Sequence, residues 1–283
     1  MNTGNAVLGS AIYITGASTG IGRATALLLD SRGFTVFAGV RKKADAESLA
    51  AAASDRLVPL MIDVTDAKQV AAAAAVITES GLPLVGLVNN AGMAAAAPLE
   101  FIPIDEFRNQ IEINLVGQLA VTQSVLPLLR ESKGRIVNVT SIGGLIASSM
   151  LGAYNASKFA LEAVTHTLRQ ELKPWGIEVI AIEPGRIATP IWSTASTTAD
   201  RMLDSMPPEA IELYGPSIQG ARDMAAAASK GGLAPERVAE VIQRALTSRN
   251  PKTRYPVGTD AKLGAVLMAR LPDRTRDRLL ARI

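Results

Sequence analysis

Short apolar runs alternate with longer alanine-rich helical patterns along most of this sequence, and that alternation restricts the fold more than any other feature. AIYIT (11–15) reads as a strand and GIGRATALLLDSRG as a helix closed by Gly33. TVFAGV (35–40), LVPLMID (57–63), VGLVNNAG (85–92), GRIVNVTS (134–141) and IEVIAIEPG (177–185) hold the next strands. Between them lie ADAESLAAAASD, a helix begun by Asp66, a long helix over 104–132 and another over 152–173. Strands that alternate strictly with helices predict a parallel sheet covered on both faces, because a parallel crossover needs a helix-length connection. The expected class is α/β, a doubly wound parallel sheet. A length of 283 residues suits one large domain, with no linker or composition break, and no repeat is visible.

The remainder is less regular. Residues 186–232 carry Pro190, Pro207, Pro208 and Pro216 with scattered Met, Trp and Tyr, and read as a helical lid over a substrate site. Residues 235–249 resume a helix, TRYPVG offers a last strand, and 259–283 is basic and amphipathic. The tail is expected to pack on the domain or a neighbouring subunit, with a peripheral membrane foot as the alternative.

Composition removes several functions. The chain has no cysteine, which excludes disulfides, thiolate chemistry and Cys-based zinc sites, and one histidine, His166, which argues against a His-ligated metal or a Ser-His-Asp triad. No metal site is expected. A net charge of +3 without a long basic run before the tail does not suggest nucleic-acid binding. The opening residues lack the positive region of a secretory leader, and no segment offers the roughly 20 apolar residues of a transmembrane span. A soluble cytoplasmic protein is expected.

The first strand runs into TGASTGIG (15–22), with Gly16, Gly20 and Gly22 at the strand-to-helix turn. That context gives a glycine-rich motif meaning. Gly16 allows a tight turn, Gly20 lets backbone approach a pyrophosphate, and Gly22 brings helix close to sheet, while the amides at the helix start face the phosphate.

Taken with this turn, NNAG (89–92), Asn114 in FRNQIEINLVG, Ser141 in IVNVTS, YNASK (154–158) and PGRIAT follow the order and spacing of the short-chain dehydrogenase/reductases. The sequence resembles that family over about residues 10–190. The resemblance implies a Rossmann-type fold, a nicotinamide dinucleotide and hydride transfer between a carbonyl and an alcohol. It implies Ser141, Tyr154, Lys158 and Asn114 as the catalytic set. Tyr154 would be the acid/base, Ser141 a hydrogen-bond donor to the substrate oxygen, Lys158 a binder of the nicotinamide ribose, and Asn114 the holder of a water in a proton relay. It also implies a cofactor site of Gly16, Ser18, Thr19, Gly20, Ile21, Gly22, Asp63, Val64, Asn90, Ala91, Gly92, Pro184, Gly185, Ile187 and Thr189, with Tyr154 and Lys158. In similar proteins the 104–132 and 152–173 helices build a homodimer or homotetramer bundle, where His166 would be a packing residue.

Residue chemistry agrees. Tyr154 and Lys158 stand four apart on a helix and share a face. A tyrosine ionises near pH 10, so use at neutral pH needs its phenolate stabilised, and Lys158 is expected to pull that pKa down. A Tyr-Lys pair four apart is by itself a common feature of exposed helix faces; the accompanying motifs are what favour a functional reading here.

Cofactor choice turns on the end of the second strand. Where NAD users of this type place an acid, this sequence has Gly39, followed by Arg41, Lys42 and Lys43. Arg41 can hold a 2′-phosphate, which favours NADP(H) with NAD(H) possible, although Thr19 is neutral where many NADP users carry a base. The expected substrate pocket is apolar: Met93, Leu145, Met150, Leu151, Ile191, Trp192, Met202 and Met206, joined by Leu203, Leu213 and Tyr214. It suits a small-molecule hydrophobic ketone or secondary alcohol, steroid-, retinoid- or lipid-like, and VFAGVRK resembles the hydroxysteroid/retinol dehydrogenase-like branch. A non-enzymatic dinucleotide sensor on the same fold is the alternative; a sugar-nucleotide epimerase needs a longer substrate domain.

Overall fold

The computed structural model describes residues 9–266 and 270–280. The predictions for the first residues and for part of the tail fall on residues outside these ranges.

Seven parallel strands form one sheet in the order β3-β2-β1-β4-β5-β6-β7: β1 (Ala11–Ile14), β2 (Thr35–Val40), β3 (Leu57–Met61), β4 (Leu84–Asn89), β5 (Arg135–Val139), β6 (Glu178–Pro184) and β7 (Arg254–Val257). Alternate residues of each strand feed two cores. Ile12, Ile14, Val36, Val40 and Val137 face one side, where they meet Ala26 and Leu29 of α1 (Gly20–Ser31) and Val238 and Ile242 of α9 (Pro235–Thr247). Tyr13, Phe37, Leu87, Ile136 and Val179 face the other, against Ile77 of α3 (Ala67–Glu79) and Val121 and Leu129 of α5 (Gly117–Ser132). Burial on both faces explains why these strands read as apolar runs rather than as alternating ones. The result is the predicted Rossmann-like doubly wound sheet.

The order in which strands are added reverses between β1 and β4, which are parallel, hydrogen-bonded neighbours. In open parallel sheets, ligands bind outside the carboxyl ends of the strands at such a switch point. Here those ends carry Gly16 and the Asn90–Gly92 segment.

One local feature differs from the sequence reading. The long helix over 104–132 is α4 (Ile104–Ile111) and α5 joined by a π-helical turn, Glu112–Val116, with Asn114 inside it. A π turn re-aims the residues that it contains and is frequent at functional sites. Residues 191–231 are helical, as α7 (Ile191–Ser205) and α8 (Pro208–Gly231), and α8 continues through Pro216. The basic tail carries α10 (Thr259–Val266) and α11 (Asp273–Leu280). Helices α2 (Lys43–Ala50) and α6 (Gly152–Glu171) lie where the sequence puts them. Among the described residues no helix is long and apolar enough to cross a membrane.

Candidate active site

The glycine turn after β1 is held from three sides. Gly16 has φ +67°, and a Cβ there would lie 2.7 Å from Ala91 Cα. A Cβ on Gly22 would overlap the Gly16 carbonyl oxygen. Asn90 Nδ2 donates to the carbonyls of Thr15 (3.1 Å) and Gly16 (3.0 Å), and the Thr15 hydroxyl accepts from the Asn90 and Ala91 amides, both at 3.0 Å. The side chain of Asn90 is therefore committed to the turn, and Thr15, which the sequence reading does not single out, is its anchor. A threonine at a strand end gives little signal in sequence, since such residues are common in turns. At the start of α1, Thr19 makes no side-chain cap and no acid stands in the first turn. The helix-start amides therefore have neither a Thr19 cap nor an acidic side chain beside them.

Around this turn lie the other expected cofactor residues. Ser18 and Ile21 are half-buried and Thr19 exposed. Thr189 packs on Gly20, where a Cβ would come 3.0 Å from its methyl. Ile187 is buried, Pro184 ends β6, and a Cβ on Gly185 would overlap the Asp260 carboxylate, which also accepts from the Arg186 amide at 2.7 Å. Asp63 accepts from the amide (3.0 Å) and hydroxyl (2.7 Å) of Thr65, closing its loop. Val64 lies in the core, with its side chain against Gly117. Gly39 is buried, and a Cβ there would lie 2.8 Å from Ile62 Cγ2, so an acid does not fit without displacing Ile62. Arg41, two residues on, is exposed and forms no ion pair among the described residues.

All four catalytic candidates meet beyond β4 and β5. Ser141 caps a 3₁₀ turn, Ile142–Gly144, its hydroxyl accepting from the Gly143 amide at 3.0 Å. Tyr154 is half-buried in the first turn of α6 and lies beside Ser141. Lys158 is buried; its Nζ donates to the Val139 carbonyl at 2.9 Å and lies 5.9 Å from the centre of the Tyr154 ring. Asn114 is fully buried. Its Oδ1 accepts from the Met93 amide and its Nδ2 donates to the Met93 carbonyl, both at 2.8 Å, with a further bond from Nδ2 to Ser157 Oγ at 3.0 Å. A Cβ on Gly92 would lie 3.2 Å from Asn114 Oδ1 and 3.8 Å from Lys158 Nζ, so the segment after β4 runs between the two.

The other letters of YNASK position the set. Asn155 donates to the Gly143 carbonyl at 2.8 Å and accepts from the Ser148 amide at 3.1 Å, which ties the Ser141 turn to α6. Ser157 joins Asn114 to the Tyr154 carbonyl, to which it donates at 2.7 Å. Both hydroxyl and amide are buried within a helix, a placement their propensity disfavours without a bonding role.

The electrostatics correct one expectation. Burial pushes the Tyr154 phenol up from its ordinary value, with the Ser141 hydroxyl opposing it. Burial also lowers Lys158 to about 8, and Glu162 opposes that shift. The lysine is itself desolvated and bonded to Val139, so within the chain's own field it does not depress the phenol.

A cleft of about 680 Å³, part of it open solvent, is lined by Ser149, Met150 and Leu151, which precede Tyr154 in the chain; Ser141, Tyr154, Lys158 and Asn114 themselves do not line it. Its walls are nearly all apolar, from Ala94–Pro98, α7 and α8. Of the expected pocket residues, Met150, Leu151, Trp192 and Leu203 line it. Met93, Leu145, Ile191, Met202 and Met206 do not: Met202 is a core residue with Met93 and Met206 packed beside it. Leu213 is exposed, and Tyr214 donates to Glu100 at 2.7 Å. Alanines at 195, 199, 221 and 225 supply much of the wall. Sequence alone conceals them, since an alanine on a helix signals only propensity. Trp192 is oriented by its indole, which donates to the Ile187 carbonyl at 2.7 Å.

Comparison with known proteins gives the family. The short chain dehydrogenase family matches residues 10–200. Retinol dehydrogenase 5 of Mus musculus is 37% identical over 279 residues, covering 95% of this chain and 87% of that one. The 17-beta-hydroxysteroid dehydrogenase type 6 of Bos taurus is 38% identical over 283 residues, covering 96% and 87%. A short chain dehydrogenase from Burkholderia cenocepacia, solved in complex with NADP, superposes with a TM-score of 0.74 at 28% identity, covering 98% of each chain. The chain therefore belongs to the short chain dehydrogenase family, as an oxidoreductase acting on CH–OH donors with a nicotinamide cofactor, and is similar within it to the retinol and hydroxysteroid dehydrogenases.

Proposed function

We propose that this enzyme is an NADP(H)-preferring oxidoreductase that interconverts a hydrophobic ketone and its secondary alcohol, of steroid-, retinoid- or lipid-like bulk. The observation that carries the reading is the convergence of Tyr154, Ser141, Lys158 and Asn114, with an apolar cleft lined by the Ser149–Leu151 segment that leads into Tyr154.

The residues of the glycine turn fit a dinucleotide. The turn at Gly16, Gly20 and Gly22 has no room for side chains, and the amides starting α1 have no side-chain cap. Gly16, Ser18, Thr19, Gly20, Ile21 and Gly22 would hold the phosphates, Asp63 and Val64 the adenine, and Asn90, Ala91 and Gly92 the adenosine side. Pro184, Gly185, Ile187 and Thr189 would line the nicotinamide. The buried Gly39 and the unpaired Arg41 support the 2′-phosphate preference, since no carboxylate occupies the position that would repel it.

When bound, the nicotinamide supplies or accepts the hydride and, when oxidised, brings a positive charge near the phenol. Ser141 donates a hydrogen bond to the substrate oxygen. Tyr154 gives its proton to that oxygen during reduction and takes it back during oxidation. The upward shift of its pKa keeps the phenol protonated before reduction begins. Lys158 stabilises the phenolate that forms, and the Asn114 segment leads the proton towards Lys158. The side chain of Asn114 is held by Met93, so it acts by fixing the π turn and the strand end rather than by moving.

Helices α7 and α8 act as the lid of one catalytic domain, and the α4–α5 and α6 faces, with exposed Val116 and Phe159, supply a homo-oligomer contact. A panel of hydrophobic ketones of graded size, assayed with NADPH and NADH, tests the function. Turnover faster with NADPH and rising with apolar bulk is expected; binding of nucleotide with no turnover across the panel refutes it.

A further inference from the structure

Helix α6 carries more than the tyrosine and lysine on their shared face. Tyr154, Lys158, Glu162 and His166 stand at successive four-residue steps, so the ladder runs from the reacting phenol to the half-exposed imidazole. Glu162 is 5% exposed, next to Lys158 at 6%. Its Oε2 accepts from Arg254 Nη2 at 2.6 Å, and its Oε1 is buried without a hydrogen-bond partner among the described residues. A buried carboxylate oxygen without a donor is costly unless a neighbouring cation compensates it. The neighbouring buried cation on the ladder is Lys158.

Among the described residues, the charged groups that face Glu162 come from its own helix and from the edge strand β7. On its own helix these are Lys158 and His166, with Arg169 acting on His166 from one turn further. From the edge strand β7 comes Arg254, which also pairs with the buried Glu183 of β6 and touches His166 Nε2. Arg254 thus serves two buried carboxylates with one charge. His166 is held low by burial and by its two arginines, so near neutral pH it adds no further cation. The turn that carries Ser141 rests on the same spot: a Cβ on Gly144 would lie 2.9 Å from the Lys158 carbonyl oxygen and 3.1 Å from Glu162 Cγ.

We propose that Glu162 is a positioning residue for the reaction: held by Arg254, it keeps the buried Lys158 in its charged form beside Tyr154. The proposal rests on reading Tyr154 and Lys158 as the acid–base pair. Burial alone favours a neutral lysine, which could not stabilise a phenolate, and among the described residues the charge of Glu162 opposes that tendency at Lys158.

The test is a pH titration of the Lys158 ammonium in the whole protein by carbon-13 NMR of its ε-methylene, assigned with Lys158→Arg, alongside the pH profile of turnover. In Glu162→Gln the Lys158 midpoint is expected to fall from about 8 by about one pH unit, a tenfold loss of proton affinity. The alkaline limb of kcat should move down with it, so that turnover falls far more at pH 8 than at pH 6. An unmoved Lys158 midpoint in folded Glu162→Gln overturns the proposal. If that variant does not fold, Glu162→Asp withdraws the charge by one methylene and reads the same quantity: a lowered midpoint supports the coupling and an unchanged one overturns it. Failure of the underlying catalytic reading looks different, because Tyr154→Phe would then keep its turnover while the Lys158 midpoint still responded to Glu162.

Discussion

The Lys158 ammonium donates to the Val139 carbonyl at 2.9 Å, so the cation of the candidate active site is tied to the end of β5, one residue before the Thr140–Ser141 corner. The strand that delivers Ser141 therefore also sets where the charge beside Tyr154 can be.

That geometry makes the phenol the first residue to test. Tyr154→Phe removes the proton donor and keeps the ring, so turnover should fall by about 10²–10⁴-fold. Nucleotide affinity, measured by fluorescence titration, should change little. Unchanged turnover would remove Tyr154 from the chemistry.

Arg41 stands exposed and, among the described residues, without an ion pair, beside a position that has no room for an acid. Arg41→Ala should weaken NADPH about ten- to a hundredfold, the loss of one charge-assisted hydrogen bond, and leave NADH nearly unaffected. Equal losses for both nucleotides would contradict a 2′-phosphate contact.

Gly22 sets the distance between α1 and the turn. In Gly22→Ala the added methyl would overlap the Gly16 carbonyl oxygen and come 2.5 Å from Asn90 Nδ2. The helix has to move outwards, at a cost of about 1–3 kcal/mol in stability. Calorimetry should show a lower Tm and titration a loss of affinity for both nucleotides alike.

The cleft is shaped by small residues, so filling it discriminates by size. Ala221→Phe on α8 should lower kcat/KM for the bulkiest ketones by about tenfold or more and spare small ones. A uniform loss would argue that substrates bind elsewhere.

Lys158 also leaves a mark on stability. It titrates near 10.5 when unfolded and near 8 when folded. Between these values the unfolded chain holds the extra proton, so raising the pH favours the fold. Relative to Lys158→Met, the parent should gain about 2 kcal/mol between pH 7.5 and 9.5, read as the difference in denaturant unfolding. Tyr13, buried and shifted upwards, acts in the opposite sense above pH 10, where the unfolded chain loses a proton that the fold retains, but it is common to both proteins and cancels.

The parts legible in sequence are those where local rules and global fold agree. The β1 turn was readable because three glycines at a strand-to-helix junction have few other uses, and the strands because burial on both faces makes them uniformly apolar. Asn114 could be singled out by its position in a helix, yet the π turn around it and its two bonds to Met93 depend on a strand end 21 residues away in sequence. The pocket was the least legible part. Met and Leu residues on α7 look alike whether they face a ligand or the protein, and Met202 proved to be core while alanines formed the wall.

Sequence by itself determined the sheet, the glycine turn and the choice of the four catalytic candidates, because periodicity and motif spacing are local properties of the chain. Only the tertiary structure decided the charge state around them. Whether Lys158 lowers the tyrosine or is itself lowered depends on how much water each group loses, and that is set by β5, β6 and β7 packing against α6 from distant parts of the chain. The same packing brought Arg254 to Glu162, a pairing across 92 residues that no local pattern records.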